Sequence, residues 1–365
     1  MTAIRRLASG RDILGAIPQL LDHDPGESLI VLPLADGRGG AVLRFDLPRA
    51  PLDPIAAEAF ADAVVGYVCR VEWSRQAILA VHTARAFEGP GRPPWGLVEL
   101  ALYEALGRAG IQVLASLCRA GDGWGEYACD DPRCSGFGPR PLAELGHADE
   151  VPALGLETPA GLVELLLGAG GPGRRAAVEE RLGRIRRDAG LLERAERAWD
   201  RRASGRSSGR PLAVETAALA LAAIEDEERR MAWLSSAIFG PGRRDELREC
   251  WSRLVSASTG ASAGISLLEA PPEVDRARLE AAAAAARDLI GVAPAARQGS
   301  ALTALAVLEW ARGRSSVAAE AARRALLLDE DDAEAALCGW LADRGIVPPW
   351  FGAGLDRGVD PGVAA

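Results

Sequence analysis

Hydrophobic residues in the first 130 positions switch repeatedly between the spacing of a helix and the spacing of a strand. Helical spacing covers residues 13–21, 53–70 and 95–109. In the last of these segments, a predicted apolar face is formed by Leu97, Leu100, Ala101 and Leu106. Strand-like apolar runs lie at residues 28–34, 41–46, 76–83, 111–117 and 124–129. Because turns at 36–40 and 121–123 predict two hairpins, we expect an α/β domain with a mixed sheet.

From about residue 157 onward the chain is nearly all Ala, Leu, Arg and Glu at helical spacing. The predicted helices are residues 159–168, 174–203, 211–223, 226–239, 243–256, 273–290, 300–312, 315–328 and 332–344. We therefore predict an α/β domain at 1–150 and an all-α domain at 151–365, whose tail at 351–365 we expect to be disordered.

The end of the helical domain, residues 300–345, has the spacing of a tetratricopeptide-like helix pair. Small side chains fall where such a pair needs close packing, at Ala306, Ala318 and Ala325. Only about one and a half units are visible, so the pattern does not support a long solenoid.

The composition narrows the function classes. The 365-residue chain has a formal net charge of −9, which argues against unselective binding to nucleic acid. All 42 basic residues are arginine, so no Schiff-base lysine and no P-loop lysine exists in this sequence. The sequence has no signal-peptide core and no apolar run long enough to span a membrane, and its six cysteines are scattered. We therefore expect a reduced, cytoplasmic protein without a membrane segment.

Two glycine-containing motifs resemble catalytic loops but stand in the wrong context. Residues 168–173 match the G-x-G-x-x-G dinucleotide pattern, which needs a strand before it, whereas the preceding segment has helical spacing. Residues 260–264 match the G-x-S-x-G nucleophile pattern, whose histidine should come later, whereas all three histidines precede it. We predict linkers at both positions.

Charged residues at the ends of elements are the best candidates for a ligand site in the α/β domain, because such domains bind ligands there. The candidate carboxylates and guanidiniums are Asp12, Asp24, Arg44, Asp46, Arg119 and Asp122. The arginines would orient an anionic ligand. We favour a structural interpretation over a ligand site, because caps and turns account for these residues: Asp12 caps a helix, Asp122 closes a turn, and Arg44 shares one strand face with Asp46.

A metal site has only weak support. Cys129, Cys134 and His147 supply three ligand types, whereas a closed zinc site needs four ligands. We therefore favour a structural loop, and we predict no cofactor.

Arginines are concentrated in a predicted helix at residues 174–206. They would form a nucleic-acid-binding face, but interleaved acidic residues and the near absence of aromatic residues favour a solvated helix with internal ion pairs.

Three segments in order carry a family resemblance. The first contains Asp12-Ile13-Leu14 and Arg44-Phe45-Asp46-Leu47-Pro48, the second runs through residues 122–134, and the third covers residues 302–349. Together they resemble the actinobacterial family of unknown function DUF4192. The family's Gly-Phe-His-Pro turn is Asp22-His23-Asp24-Pro25 here, and its paired cysteine is Cys134-Ser135. The resemblance implies no reaction, substrate or cofactor.

These observations leave three hypotheses. The first is a non-catalytic interaction or regulatory protein that binds a protein partner through its helical domain, with self-association left open. The second is an enzyme or small-anion-binding protein that uses the α/β domain. The third, which we favour least, is nucleic-acid binding by the arginine-rich helix.

Overall fold

A computed structural model describes residues 9–21, 23–35, 38–39, 42–48, 52–69, 71, 74–89, 92–127, 139–145, 159–204, 211–258, 273–346 and 348–351. The contacts divide the chain into two compact units, with the division between Pro159 and Ala160. The predicted fold class is confirmed, because the first unit contains a mixed sheet with helices and the second is helical.

The first unit is built on six strands: β1 (Ser28–Ala35), β2 (Arg38–Gly39), β3 (Leu43–Asp46), β4 (Gln76–His82), β5 (Gln112–Arg119) and β6 (Trp124–Glu126). β2 and β3 pair with opposite ends of one edge of β1, and β4 pairs antiparallel with its other edge. β4 pairs parallel with β5, which pairs antiparallel with β6. β1 is buried along almost its whole length, as its continuous apolar run predicts.

Three helices accompany the sheet: α1 (Gly10–Leu21), α2 (Pro54–Val68) and α3 (Gly96–Arg108). The apolar side of α1 packs on one face of the sheet, where Ile13 and Ile17 join Ile30, Ala80 and Leu117 in one cluster. α2 and α3 pack against each other, and α3 makes the crossover between the parallel strands β4 and β5.

The predicted apolar face of α3 is wrong at two of its four positions. Leu97 and Leu100 are 51% and 53% exposed, whereas the predicted Leu106 is buried, together with Val98 and Leu102. Apolar residues surround almost the whole first turn of α3, so spacing alone did not identify the face that α2 and β5 cover.

The second unit contains α4 (Pro159–Gly168), α5 (Pro172–Gly183), α6 (Leu191–Ser204), α7 (Val214–Ala223), α8 (Glu227–Phe239), α9 (Glu246–Ser258), α10 (Arg276–Val292), α11 (Gln298–Ala311), α12 (Ser315–Leu328) and α13 (Ala333–Asp343). The predicted linker at 168–173 is confirmed, since helices precede and follow it. Gly170 is required there, because a Cβ on it would lie 1.9 Å from the carbonyl oxygen of Gly291. Residues 260–264 lie outside the described residues.

The single helix predicted at 174–203 is wrong, because α5 ends at Gly183 and α6 begins at Leu191. Between them the Asp188 carboxylate accepts a hydrogen bond from the Gly190 amide at 3.1 Å, and Ile185 turns into the core. A side chain that bonds the backbone locally offers an alternative to the helical ladder, which explains the break.

The last three helices, α11 to α13, are consecutive and joined by short loops. Ala306, Ala318 and Ala325 are fully buried among them, as close helix packing requires. Their likeness to a tetratricopeptide pair stays a prediction. Among the helices that the structure describes, none is long and apolar enough to cross a membrane.

Candidate functional site

At one end of the sheet, five residues from five different positions pair across neighbouring strands and form a row. Ser28 pairs with Asp46 on one side and with His82 on the other, His82 pairs with Arg119, and Arg119 pairs with Trp124. Residues two positions from the row, such as Ala80 and Leu117, lie in the α1 cluster. Because alternate residues of a strand share a face, the row lies on the α1 side, at the carboxyl ends of the parallel strands β4 and β5.

His82 is the least expected member of this row. The side chain is 1% exposed, and neither ring nitrogen has a hydrogen-bond partner among the described residues. Burial, assisted by the positive charge of Arg119, lowers the pKa of His82 to about 3. The imidazole is therefore neutral at physiological pH and offers one donor and one acceptor.

The two predicted arginines near this row have different surroundings: Arg119 belongs to the row, and Arg44 lies two positions from it, opposite Ile30. The Arg44 guanidinium forms an ion pair with Asp46 at 2.7 Å and donates two hydrogen bonds, of 3.1 and 3.0 Å, to the carbonyl oxygen of Pro25. Arg119 forms no side-chain hydrogen bond or ion pair with any residue that the structure describes. Arg44 therefore has internal partners, whereas Arg119 is available to an anion as far as the described residues go.

The other predicted carboxylates have structural partners. Asp12 is not the helix cap that we predicted. The Ser9 hydroxyl accepts from the Asp12 amide at 3.2 Å and donates to the Asp12 carboxylate at 2.8 Å, so Ser9 caps α1 and Asp12 lies in its first turn. Asp24 accepts from the Gly26 amide at 3.1 Å, and Asp122 accepts from the Phe87 amide at 3.1 Å. The structure brings Asp46 and Arg119 into the row, places Arg44 beside Asp46, and leaves Asp12, Asp24 and Asp122 outside the row.

The predicted metal ligands lie outside the described residues, since residues 128–138 and 146–158 are not described. Within the described part of the chain, no group of three or more His, Cys, Asp or Glu side chains could hold a metal ion.

Most arginines of the arginine-rich segment form ion pairs within the helical unit. Arg174 of α5 pairs with Asp288 of α10 at 2.6 Å, and Arg187 pairs with Glu225 at 2.8 Å between two loops of the unit. Further ion pairs join Arg181 to Glu215, Arg184 to Glu180 and Arg194 to Asp188. Since this segment is not one helix and most of its described arginines have acidic partners, the described residues 174–204 form no continuous basic face.

The helical unit contains a cavity of about 770 Å³ that sequence reasoning missed. It lies between the first turns of α8 and α13 and one side of α9. Its apolar lining is formed by Met231, Trp251, Val255 and Leu337. Its acidic lining is formed by Asp226, Glu227, Glu228 and Glu334, with Arg248 also present. The cavity therefore combines an apolar surface with an acidic one.

A buried ion cluster adjoins this cavity. The Arg230 guanidinium lies between Asp332, at 3.1 Å, and Glu334, and the Thr303 hydroxyl donates to Asp332 at 2.8 Å. One guanidinium thus faces two buried carboxylates. Burial raises the pKa of Glu334 to about 7 against the opposing attraction of Arg230, and the negative charges of Asp332 and Glu227 add to this rise.

Both sites lie within one family match. The family profile described as a domain of unknown function, DUF4192, matches residues 11–349. The chain belongs to the DUF4192 family. The resemblance inferred from the three motifs is therefore confirmed. No curated protein and no solved structure gave a significant match.

Two features of these sites could not be predicted from the DUF4192 sequence, for different reasons. Asp226-Glu227-Glu228 is typical of a helix start, and only the fold places it opposite Leu337. His82 ends an apolar run, and a buried histidine becomes notable only when its nitrogens are found without partners.

Proposed function

We propose that this protein is a non-catalytic interaction protein of the cytoplasm, whose helical unit binds a segment of a partner protein in the cavity between α8, α9 and α13. The observation that carries the proposal is the cavity itself, of about 770 Å³, with apolar and acidic linings side by side. Cavities of this size with a few polar groups bind ligands and peptide segments. The buried thiols of Cys118, Cys250 and Cys338, none of them in a disulfide, support a reducing compartment.

The chemistry of the cavity favours binding over catalysis. Its described lining contains no histidine or cysteine to act as a base or nucleophile. The Ser256 hydroxyl donates to the backbone oxygen of Ser252 at 2.9 Å, and Glu334 is held by Arg230. These polar groups have structural partners, and none forms a nucleophile–base pair.

Site-specific photocrosslinking tests the proposal. A photoreactive residue replaces Leu337 in the full chain, and a matched one replaces Glu179, an exposed residue of α5 outside the cavity. We expect position 337, but not 179, to crosslink one protein, which then binds the purified chain and blocks further crosslinking. Absence of such a partner, or identical crosslinks from both positions, would refute the proposal.

A second candidate function is the binding of a small anion at the sheet row, and the observation that favours it is the buried His82 beside Arg119. Arg119, which has no acidic partner among the described residues, would hold a carboxylate or phosphate, and the single N–H of the neutral His82 imidazole would donate a hydrogen bond to it. Titration of histidine-labelled protein with inorganic phosphate and with acetate should move the His82 ring resonances, and Arg119→Gln should abolish the movement. Unchanged resonances would exclude the site.

A further inference from the structure

Strand β3 lies at an edge of the sheet in the α/β unit. One of its edges pairs with β1, and no other described strand pairs with its second edge. The Leu47 amide donates to the carbonyl oxygen of Glu27 at 3.0 Å, which sets the alternation of hydrogen bonds along this antiparallel ladder. The backbone groups of Phe45 therefore face β1, whereas those of Arg44 and Asp46 point away from it. These two residues present the donors and acceptors that a further strand would use.

The side chains along this edge are complementary to themselves. In the segment Leu43-Arg44-Phe45-Asp46-Leu47, apolar residues are symmetric and charges are opposite about the central phenylalanine. Two copies paired antiparallel about Phe45 place each Arg44 opposite the Asp46 of the other copy. The same pairing sets the outward backbone groups of Arg44 against those of Asp46. The charge pattern and the hydrogen-bond pattern therefore require one and the same register.

The charged side chains of this edge can accept this second partner. The Arg44 guanidinium binds the carbonyl oxygen of Pro25 through Nε and Nη2, and its Nη1 has no acceptor among the described residues. The Asp46 side chain lies 2.7 Å from Arg44 and is 80% exposed. In a pair of copies the two arginines and two aspartates would form four alternating charges on one face of the joined sheet.

The opposite face of this edge is aromatic. Phe45 alternates with the charged residues and lies against Tyr67 of α2, with ring centroids 5.5 Å apart. In the symmetric register the two Phe45 residues form a pair without hydrogen bonds, which is the closer kind of cross-strand pair. Aromatic pairs of this kind stabilise antiparallel strands.

We infer that the outer edge of β3 is an interface between two copies of this chain, which join edge to edge in an antiparallel pair centred on Phe45. Few residues of each copy form the pair, and Pro48 has no N–H to extend it, so the dimer is weak and depends on concentration. This inference goes beyond the proposed function and does not depend on the cavity in the helical unit.

Charged residues on an edge strand also protect it from aggregation. That role explains why charges lie at this edge but not their order. Antiparallel pairing centred on Arg44 would oppose two arginines, and pairing centred on Asp46 would oppose two aspartates. The observed order therefore admits one symmetric register and rejects the two neighbouring ones that the outward backbone groups would also allow.

Sedimentation equilibrium of the full chain, over a range of concentrations, tests the inference with charge exchange. The variants are D46R, R44D, the double variant R44D/D46R, and the matched control E179R, which makes the same change in charge at an exposed residue of α5. D46R should weaken the dimer about tenfold or more, because two attractive pairs, each contributing a factor of about 1.4 to 5, become repulsive. The double variant, and an equimolar mixture of D46R with R44D, should regain the dimer. E179R should dimerise as the wild type does.

Hydrogen exchange of the wild-type chain tests the register without any substitution. The amides of Arg44 and Asp46 should be slowed only at concentrations where the dimer forms, whereas the amide of Phe45, which faces β1, should be protected at all concentrations.

A wild-type chain that stays monomeric up to about 1 mM overturns the inference. A dimer that D46R leaves intact, or that D46R and E179R weaken equally, places the interface elsewhere and also overturns it. Slow exchange at Arg44 and Asp46 that is independent of concentration assigns the edge to a contact within one chain, and the inference is then rejected.

Discussion

Acid should destabilise the α/β unit through His82. In the folded chain the pKa of His82 is about 3, whereas an unfolded histidine has a pKa of about 6.5. Between these values the unfolded state binds the extra proton, so stability is present above pH 6.5 and falls as the pH falls. At pH 5 the loss relative to pH 7.5 is about 2 kcal/mol for this one group. That figure depends mainly on the unfolded pKa, because pH 5 lies well above the folded value.

Hydrogen exchange measures this loss within one unit. Amides of β4 and β5 that exchange by unfolding of the unit should lose about 2 kcal/mol of protection free energy between pH 7.5 and 5, after correction for intrinsic exchange. His82→Leu removes the titrating group and should flatten this dependence. Amides of the buried helix α11 in the second unit should not show this loss, because the raised pKa of Glu334 makes that unit more stable at low pH. An equal pH dependence in wild-type and His82→Leu protein would refute the assignment.

Three further predictions follow from single contacts. The wild-type helical unit should lose about 2 kcal/mol of unfolding free energy between pH 5 and pH 8, because the raised pKa of Glu334, about 7, makes stability fall as the pH rises through that value. Glu334→Gln should remove this loss, and urea titrations at both pH values measure it. Gly170→Ala should destabilise the helical unit by about 3 kcal/mol or more, seen as a lower urea midpoint, since its Cβ would collide with the Gly291 backbone. Ser9→Ala should cost about 1 kcal/mol through loss of the α1 cap, and unchanged exchange protection in α1 would contradict it.

Local patterns predicted the elements of this fold well where one physical cause dominates. The continuous apolar run at 28–34 predicted a buried strand, and the strand there is buried along nearly its whole length. The helical spacing before the glycine-rich segment at 168–173 predicted a linker, and helices flank that segment. The prediction failed at 174–203, where Asp188 competes for backbone amides, and in part at α3, where apolar residues surround the first turn. The cavity escaped prediction because Glu227 and Leu337 meet only through the packing of helices distant in the sequence.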